Sequence, residues 1–264
     1  MRPRPESTLP VRALGGAQRA DWALRGGGTG IGPGRLPSAW RKRGRGTSRR
    51  LRKGGAAGLR GSGAGHKRWI APAAGDAFVG GEWVYHEWMK SEELQRLTAS
   101  EPLTLEQEYS MQRSWREDAD KCTFIVLDAE KWQARPSTTE DSCMAGDVNL
   151  FLTDLRDPSL GEIEVMIAEP SCRGKGFGTE AVLMMMSYGV TKLGLTKFEA
   201  KIGQGNEPSI RMFRKLHFEQ VAVNSVFQEV TLRLTMNEHE RQWLLEQTSH
   251  VEEKCYIDGS SESH

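Results

Sequence analysis

Residues 162–181, reading Glu-Ile-Glu-Val-Met-Ile-Ala-Glu-Pro-Ser-Cys-Arg-Gly-Lys-Gly-Phe-Gly-Thr-Glu-Ala, carry the densest set of groups able to do chemistry in this 264-residue chain. An apolar strand runs into Arg173-Gly174-Lys175-Gly176-Phe177-Gly178, and a helix begins at once. Glycines let the backbone approach a ligand closely and adopt positive φ. Arg173 and Lys175 add positive charge, and the first helical turn offers unpaired N–H groups in the same place. Together they form a cradle for a pyrophosphate.

Two common phosphate loops do not fit. A P-loop needs Gly-x-x-x-x-Gly-Lys followed by Ser or Thr, and the Lys175-Gly176-Phe177 order breaks that pattern. A dinucleotide fingerprint needs Gly-x-Gly-x-x-Gly and an acidic residue ending a second apolar strand. Here the glycines are spaced differently, and the strand that would carry Glu199 is too polar.

Charge divides the chain. Of its 36 basic and 35 acidic residues, the first 70 positions hold 17 and 2, leaving 19 and 33 for the remainder. Those 70 positions also hold 16 glycines and show almost no apolar periodicity, so residues 1–80 read as a disordered basic segment. Arg/Gly-rich chain of this kind also suits phosphate contacts with RNA. Arg41-Lys42-Arg43-Gly44-Arg45 could serve as a nuclear signal, and the low acid content fits a mitochondrial presequence, although the glycines oppose the helix it needs. No window approaches 18 apolar residues, so no membrane span or secretory signal is expected. Cys122, Cys143, Cys172 and Cys255 lack paired or metal-binding spacing, as do the histidines. Reduced thiols, no metal and a cytoplasmic or nuclear protein are expected.

The elements that must position the loop follow from periodicity. Residues 85–97 read as one helix, and Thr104 with Gln107 forms a capping box for a second reaching about residue 115. Strands are expected at 123–127, 145–151, 162–167, 197–202 and 226–234, with a loop at 133–142 and a turn at 154–159. Residues 179–193 form an apolar helix whose Met184-Met185-Met186 run reads as core with one exposed methionine. Asn206 caps a short helix with Pro208 in its first turn, ending near Leu216. A polar amphipathic stretch with Trp243, Leu244 and Leu245 follows Met236, and residues 251–264 read as a disordered tail. The class is α/β or α+β with a single sheet, in a domain spanning 81–250.

At this level the chain resembles a known family. Arg173-Gly174-Lys175-Gly176-Phe177-Gly178 is similar to the Gln/Arg-x-x-Gly-x-Gly/Ala loop of GNAT-type acetyltransferases. Asn206-Glu207-Pro208-Ser209-Ile210-Arg211-Met212-Phe213-Arg214-Lys215-Leu216-His217-Phe218 resembles their second motif, in the expected order and with one helix and one strand between. Gly178-Thr179-Glu180-Ala181 looks like the branch containing ribosomal-protein alanine acetyltransferases. The resemblance runs from His86 to about Lys254 and extends to eukaryotic members associated with α- and β-tubulin N termini.

The resemblance implies a GNAT-type single mixed sheet flanked by helices and direct transfer of acetyl from acetyl-CoA to a protein α-amine, with tubulin as an acceptor. It implies that Gly174, Lys175, Gly176, Phe177, Gly178 and Thr179 hold the pyrophosphate together with Arg173. Met166, Ile167 and Ala168 would then lie beside the pantetheine and thioester, with Asn206 and Phe213 also touching the cofactor. The amine must be neutral to attack, and Glu162 and Glu164 share one face of their strand as candidate bases, Glu162 slightly favoured.

Two departures bear on activity. Phe213 stands where many members have a proton-donating tyrosine, leaving water or, as a guess, Tyr188. His217 replaces the usual glycine at a left-handed position, at a cost of about 1 kcal/mol. The family's first strand is expected to be missing or replaced by the basic segment, with 77–79 and 83–84 as poor substitutes. A noncatalytic CoA-binding or interaction protein that retains the fold is the alternative reading.

Overall fold

The computed structural model describes residues 57–61, 68–72, 81–117, 120–134, 139, 141–152, 154 and 156–255. In chain order these form β1 (Ala57–Gly61), β2 (Arg68–Pro72), α1 (Gly81–Met89), α2 (Glu92–Thr98), α3 (Leu105–Glu117), β3 (Lys121–Asp128) and α4 (Ala129–Ala134). Next come β4 (Met144–Phe151), β5 (Leu160–Ile167), α5 (Phe177–Tyr188), β6 (Lys197–Gly203), α6 (Glu207–Lys215), β7 (Glu219–Asn224), β8 (Glu229–Thr235), α7 (Glu238–Gln247) and β9 (Val251–Cys255). The strands make one sheet in the order β7-β8-β6-β5-β4-β3-β2-β1-β9. Every pairing is antiparallel except β5 with β6.

Two apolar layers enclose the sheet. Phe124, Val126, Val148, Leu150 and Ile163 point to one face, where α5, α6 and α7 supply Val182, Met185, Phe213 and Leu244. Ile125, Leu127, Met144 and Met166 point to the other, beneath Tyr85 of α1 and Leu94 of α2. This is the period-two alternation of a strand buried on both sides. All three of Met184, Met185 and Met186 are buried, so the expectation of an exposed methionine does not hold. α5 is enclosed between the sheet and α7 rather than lying on an open face.

The first strand is present, which corrects the sequence reading. Arg68–Pro72 runs antiparallel to β3 from Arg68↔Asp128 to Pro72↔Phe124 and occupies the place expected to be empty. β1 pairs with β2, and β9 pairs with β1 through Ala57↔Cys255 to Gly61↔Val251. Disorder is therefore corrected for 57–61, 68–72 and 251–255, where ladder hydrogen bonds order chain that periodicity could not. The remainder of both expected disordered segments lies outside the described residues.

Local capping explains most element boundaries. Ser91 accepts the N–H of Leu94, so α2 starts afresh and the expected single helix divides. Thr104 and Gln107 close the capping box in both directions. Asp128 Oδ1 accepts the N–H groups of Glu130 and Lys131, which starts α4 just ahead of the segment read as loop, into which it runs as far as Ala134. The expected strand at 226–234 begins only at Glu229, because Asn224 Oδ1 accepts from Val226 and Phe227 and holds a turn. β7, which periodicity missed, is exposed at every position and forms the sheet edge.

His217 does adopt φ 67°, and the structure offsets the strain. Its ring stacks on Trp243 at 4.2 Å and its Nδ1 lies 2.8 Å from Glu240, fastening the end of α6 to α7. Leaving out β1 and β2 would make β3 an open edge. A chain of residues 73–264 is therefore expected to melt several degrees below one of residues 57–264, with faster amide exchange in β3. Equal melting and equal exchange would show that β2 contributes nothing.

Candidate active site

β5 and β6 pair at only three positions, Leu160↔Lys197, Gly161↔Phe198 and Glu162↔Glu199. Beyond them β5 stays with β4 as far as Ile167, while β6 stays with β8 as far as Gly203. The two central strands thus part, and a cleft opens between them. Met166 O lies against Gly146 on β4, so close that a Cβ there would meet it at 1.9 Å. Because successive residues of a strand present their polar groups to opposite sides, the N–H and C=O of Ile167 face the cleft side. The Ile167 carbonyl accepts from Arg173 Nε at 2.9 Å, as this orientation requires.

The glycine loop stands at the end of this cleft. Gly174 and Gly176 adopt φ 69° and 84°, both left-handed, and a Cβ on Gly174 would meet nothing within 4 Å. Gly176 is the N-cap of α5 and supplies no side-chain cap. The N–H groups of Phe177, Gly178 and Thr179 therefore start the helix without one, at the positive end of its dipole. Gly178 packs closely against Met212 Sδ, 3.2 Å from where a Cβ would lie, which sets α5 against α6 beside the cleft. These features suit an anionic group such as a pyrophosphate.

Several of the expected site residues have partners within the protein. Arg173 turns away from the loop: its guanidinium bonds the carbonyls of Ile167 and Ala168 and reaches Glu93 at 3.1 Å. It clamps the loop to β5 and α2. Lys175 is exposed, Phe177 is buried, and Met166 and Ala168 belong to the apolar layer under α1. Asn206 Oδ1 caps α6 by accepting from Ser209 at 3.3 Å. Phe213 is 2% exposed, packed edge-on to Phe218 with ring centres 5.0 Å apart, so its ring is covered by protein. Tyr188 ends α5, about 16 Å along the helix axis from the loop, and packs on Phe124.

Glu162 and Glu164 do share a face, opposite Phe151 and Asn149 of β4. Glu162 holds Lys201 Nζ at 2.6 Å, and Glu199 beside it is gripped by Arg233. These cross-strand ion pairs make the β5-β6-β8 half of this face polar, whereas α1, α2 and α3 cover the β3-β4 half.

Where the halves meet lies a cluster that the sequence reading did not find. Thr123 Oγ1 donates to Asn149 Oδ1 at 2.7 Å, and Asn149 Nδ2 donates to Asp147 Oδ2 at 2.5 Å. Asp147 is 4% exposed, and its Oδ1 has no hydrogen-bond partner. Burial, with the Glu164 charge adding to it, pushes the Asp147 carboxyl up to about 6 against the pull of Asn149 and Lys121. Tyr85 is buried nearby, and burial together with the charges of Asp147, Glu108 and Glu164 pushes its phenol well above the ordinary range. Glu108 is buried in turn, which raises its carboxyl although His86 bonds it at 2.8 Å. The only signal in sequence was the polar pair Asp147 and Asn149 on alternate positions of an apolar strand. That pattern ordinarily marks a solvent face.

A match to the family described as an acetyltransferase (GNAT) domain spans residues 82–219. The chain belongs to the GNAT acetyltransferase family. Over 178 residues, 67% of this chain and 86% of the relative, it is 86% identical to the Homo sapiens protein called alpha/beta-tubulin-N-acetyltransferase 9. The Mus musculus protein of that name is 78% identical over 172 residues, 65% of this chain and 71% of the relative. Vibrio cholerae spermidine N-acetyltransferase, solved with CoA and spermine, shares the fold at 16% identity and TM-score 0.51, over 71% of this chain and 98% of the other. The GNAT-type mixed sheet expected from sequence is thereby shown.

Asp147 makes a stability test. A carboxyl whose folded value is raised from 3.8 to about 6 binds its proton more tightly when folded. The associated stability is present below about pH 4 and lost as pH rises through about 6. Asp147→Asn is expected to be more stable than the parent at pH 8, by on the order of 2–3 kcal/mol, and equal to it near pH 4. Melting curves at the two pH values check this, and an Asn variant less stable at pH 8 would contradict it.

Proposed function

We propose that this chain transfers the acetyl group of acetyl-CoA to the α-amine of a protein, with the N termini of α- and β-tubulin as acceptors. The single observation that carries the reading is the parting of β5 from β6 beside a glycine loop and an uncapped helix. That geometry gives a thioester a channel and its pyrophosphate a place to sit. The tubulin acceptor is supported by the names of the human and mouse relatives. Three free thiols, Cys122, Cys143 and Cys172, support a reducing compartment such as the cytoplasm.

Acetyl-CoA would supply the activated acyl group. The N–H groups of Phe177, Gly178 and Thr179 would bind its pyrophosphate at the dipole's positive end. The Ile167 N–H, facing the cleft, would stabilise the negative oxygen that develops as the amine adds to the thioester carbonyl. Collapse then forms the amide and expels the thiolate. With phenylalanine at 213 offering no hydroxyl, water would protonate that sulfur. Glu162, held by Lys201, and Glu164 on the same face are the two candidates for the base that the sequence offered.

The covered Phe213 ring favours a second reading, a CoA-binding protein without catalysis. Calorimetry with acetyl-CoA, followed by thiol release with peptides of tubulin N termini, separates the two. Binding and release are both expected; binding without release across many amine peptides would leave only the second. Ile167→Pro removes the N–H facing the cleft without breaking the β4-β5 ladder. It is expected to lower kcat about 10²- to 10³-fold while acetyl-CoA affinity holds. Unchanged kcat in a folded variant would remove the oxyanion role.

A further inference from the structure

The hydrogen bonds around Asp147 run in one direction. Thr123 donates to Asn149 and Asn149 donates to Asp147, so the carboxylate is the terminal acceptor of the relay. Its second oxygen, Oδ1, is buried and has no donor. A buried carboxylate oxygen without a partner is costly, and it opposes the stability of the fold. Such an arrangement is characteristic of a group kept for a ligand. The missing partner must be a donor, because a carboxylate oxygen only accepts.

Position gives the donor its identity. Asp147 pairs with Met166, the residue before the cleft-facing Ile167 N–H, and lies on the same face as Glu164. The charged and titratable side chains around Asp147 and Tyr85 are Glu164 from β5, Glu108 from α3 and Lys121 from β3. The carboxylates outnumber the lysine, which favours a cation. Resting on the acetyltransferase reading above, we propose that Asp147 is the amine-binding carboxylate of the acceptor site, its Oδ1 accepting a hydrogen bond from the acceptor's α-ammonium while Asn149 and Thr123 hold Oδ2.

The same contact provides a route for the proton that the amine must lose before attack. The N–H bond breaks, Oδ1 takes the proton, and the freed lone pair forms the C–N bond as the C–S bond breaks. With the carboxyl at about 6, transfer from an α-ammonium is uphill by about two pKa units, and from a lysine side chain by more than about four. Asp147 therefore also favours α-amines over lysines.

The test uses the full chain with CoA bound and two peptides of one tubulin N terminus, one with a free and one with an acetylated α-amine. The parent is expected to bind the free-amine peptide at least about tenfold more tightly, and Asp147→Asn to lose that preference while it stays folded and keeps its acetyl-CoA affinity. If the variant keeps the preference, or the parent has none, the assignment is overturned whatever the turnover. The acetyltransferase reading is judged separately, by thiol release from the parent alone. In turnover, kcat/KM of the parent is expected to fall on an acid limb near pH 6, and Asp147→Asn to lack that limb and drop on the order of 10²-fold. Should Asp147→Asn not fold, Asn149→Ala serves instead. Losing the Asn149 hydrogen bond removes a stabiliser of the charged form, so the limb must move to higher pH, and an unmoved limb overturns the proposal.

Discussion

The structure turns on a single failure of pairing. β5 and β6 begin as parallel neighbours and separate after Glu162 and Glu199, each remaining bonded to its outer partner. Parallel strands joined through a helix ordinarily stay together. Here the antiparallel ladders on either side hold each strand, so separation costs only a few central hydrogen bonds. The freed edge of β5 lines the cleft. The Ile167 N–H lies on it, Arg173 secures its end by bonding the Ile167 and Ala168 carbonyls, and the glycine loop follows directly.

The remainder of the molecule keeps that edge in place. α5, α6 and α7 pack on one face through a fully buried apolar layer, and Gly178 brings α5 and α6 within van der Waals range of each other. On the other face α1, α2 and α3 cover only the β3-β4 half. On the uncovered half Glu162–Lys201 ties the diverging β5 and β6 by charge, while Glu199–Arg233 reinforces the β6-β8 ladder. Asp147 sits at the seam between covered and uncovered halves. Burial there raises its carboxyl and leaves its Oδ1 without a donor.

Much of this was legible from sequence because the signals were local. Glycine at Gly174 and Gly176 is demanded by positive φ, the Thr104–Gln107 box closes within four residues, and Asn206 caps the helix that it begins. What failed was what depended on partners far along the chain. Arg68–Pro72 is only five residues long and ends in proline, too short a run to announce a strand, yet β3 pairs with it from Arg68↔Asp128 to Pro72↔Phe124. Arg173 was read by its charge as a phosphate ligand, but Glu93, 80 residues earlier, and two carbonyls claim it. Phe213 matched its motif in position, and only packing against Phe218 showed its ring to be covered.

The sequence by itself determined the glycine loop, the helices that flank it and the family to which they belong, because backbone conformation at glycine and capping at helix ends are decided by neighbouring residues. Tertiary structure alone decided which carboxylate is special. Asp147, Glu162 and Glu164 look equivalent along a strand, since alternation assigns each a face but not a cover. Register sets Asp147 beside Met166 under α1 and sets Glu162 beside Lys201. Desolvation without a partner is a property of three-dimensional surroundings, and it separates one acid from the others.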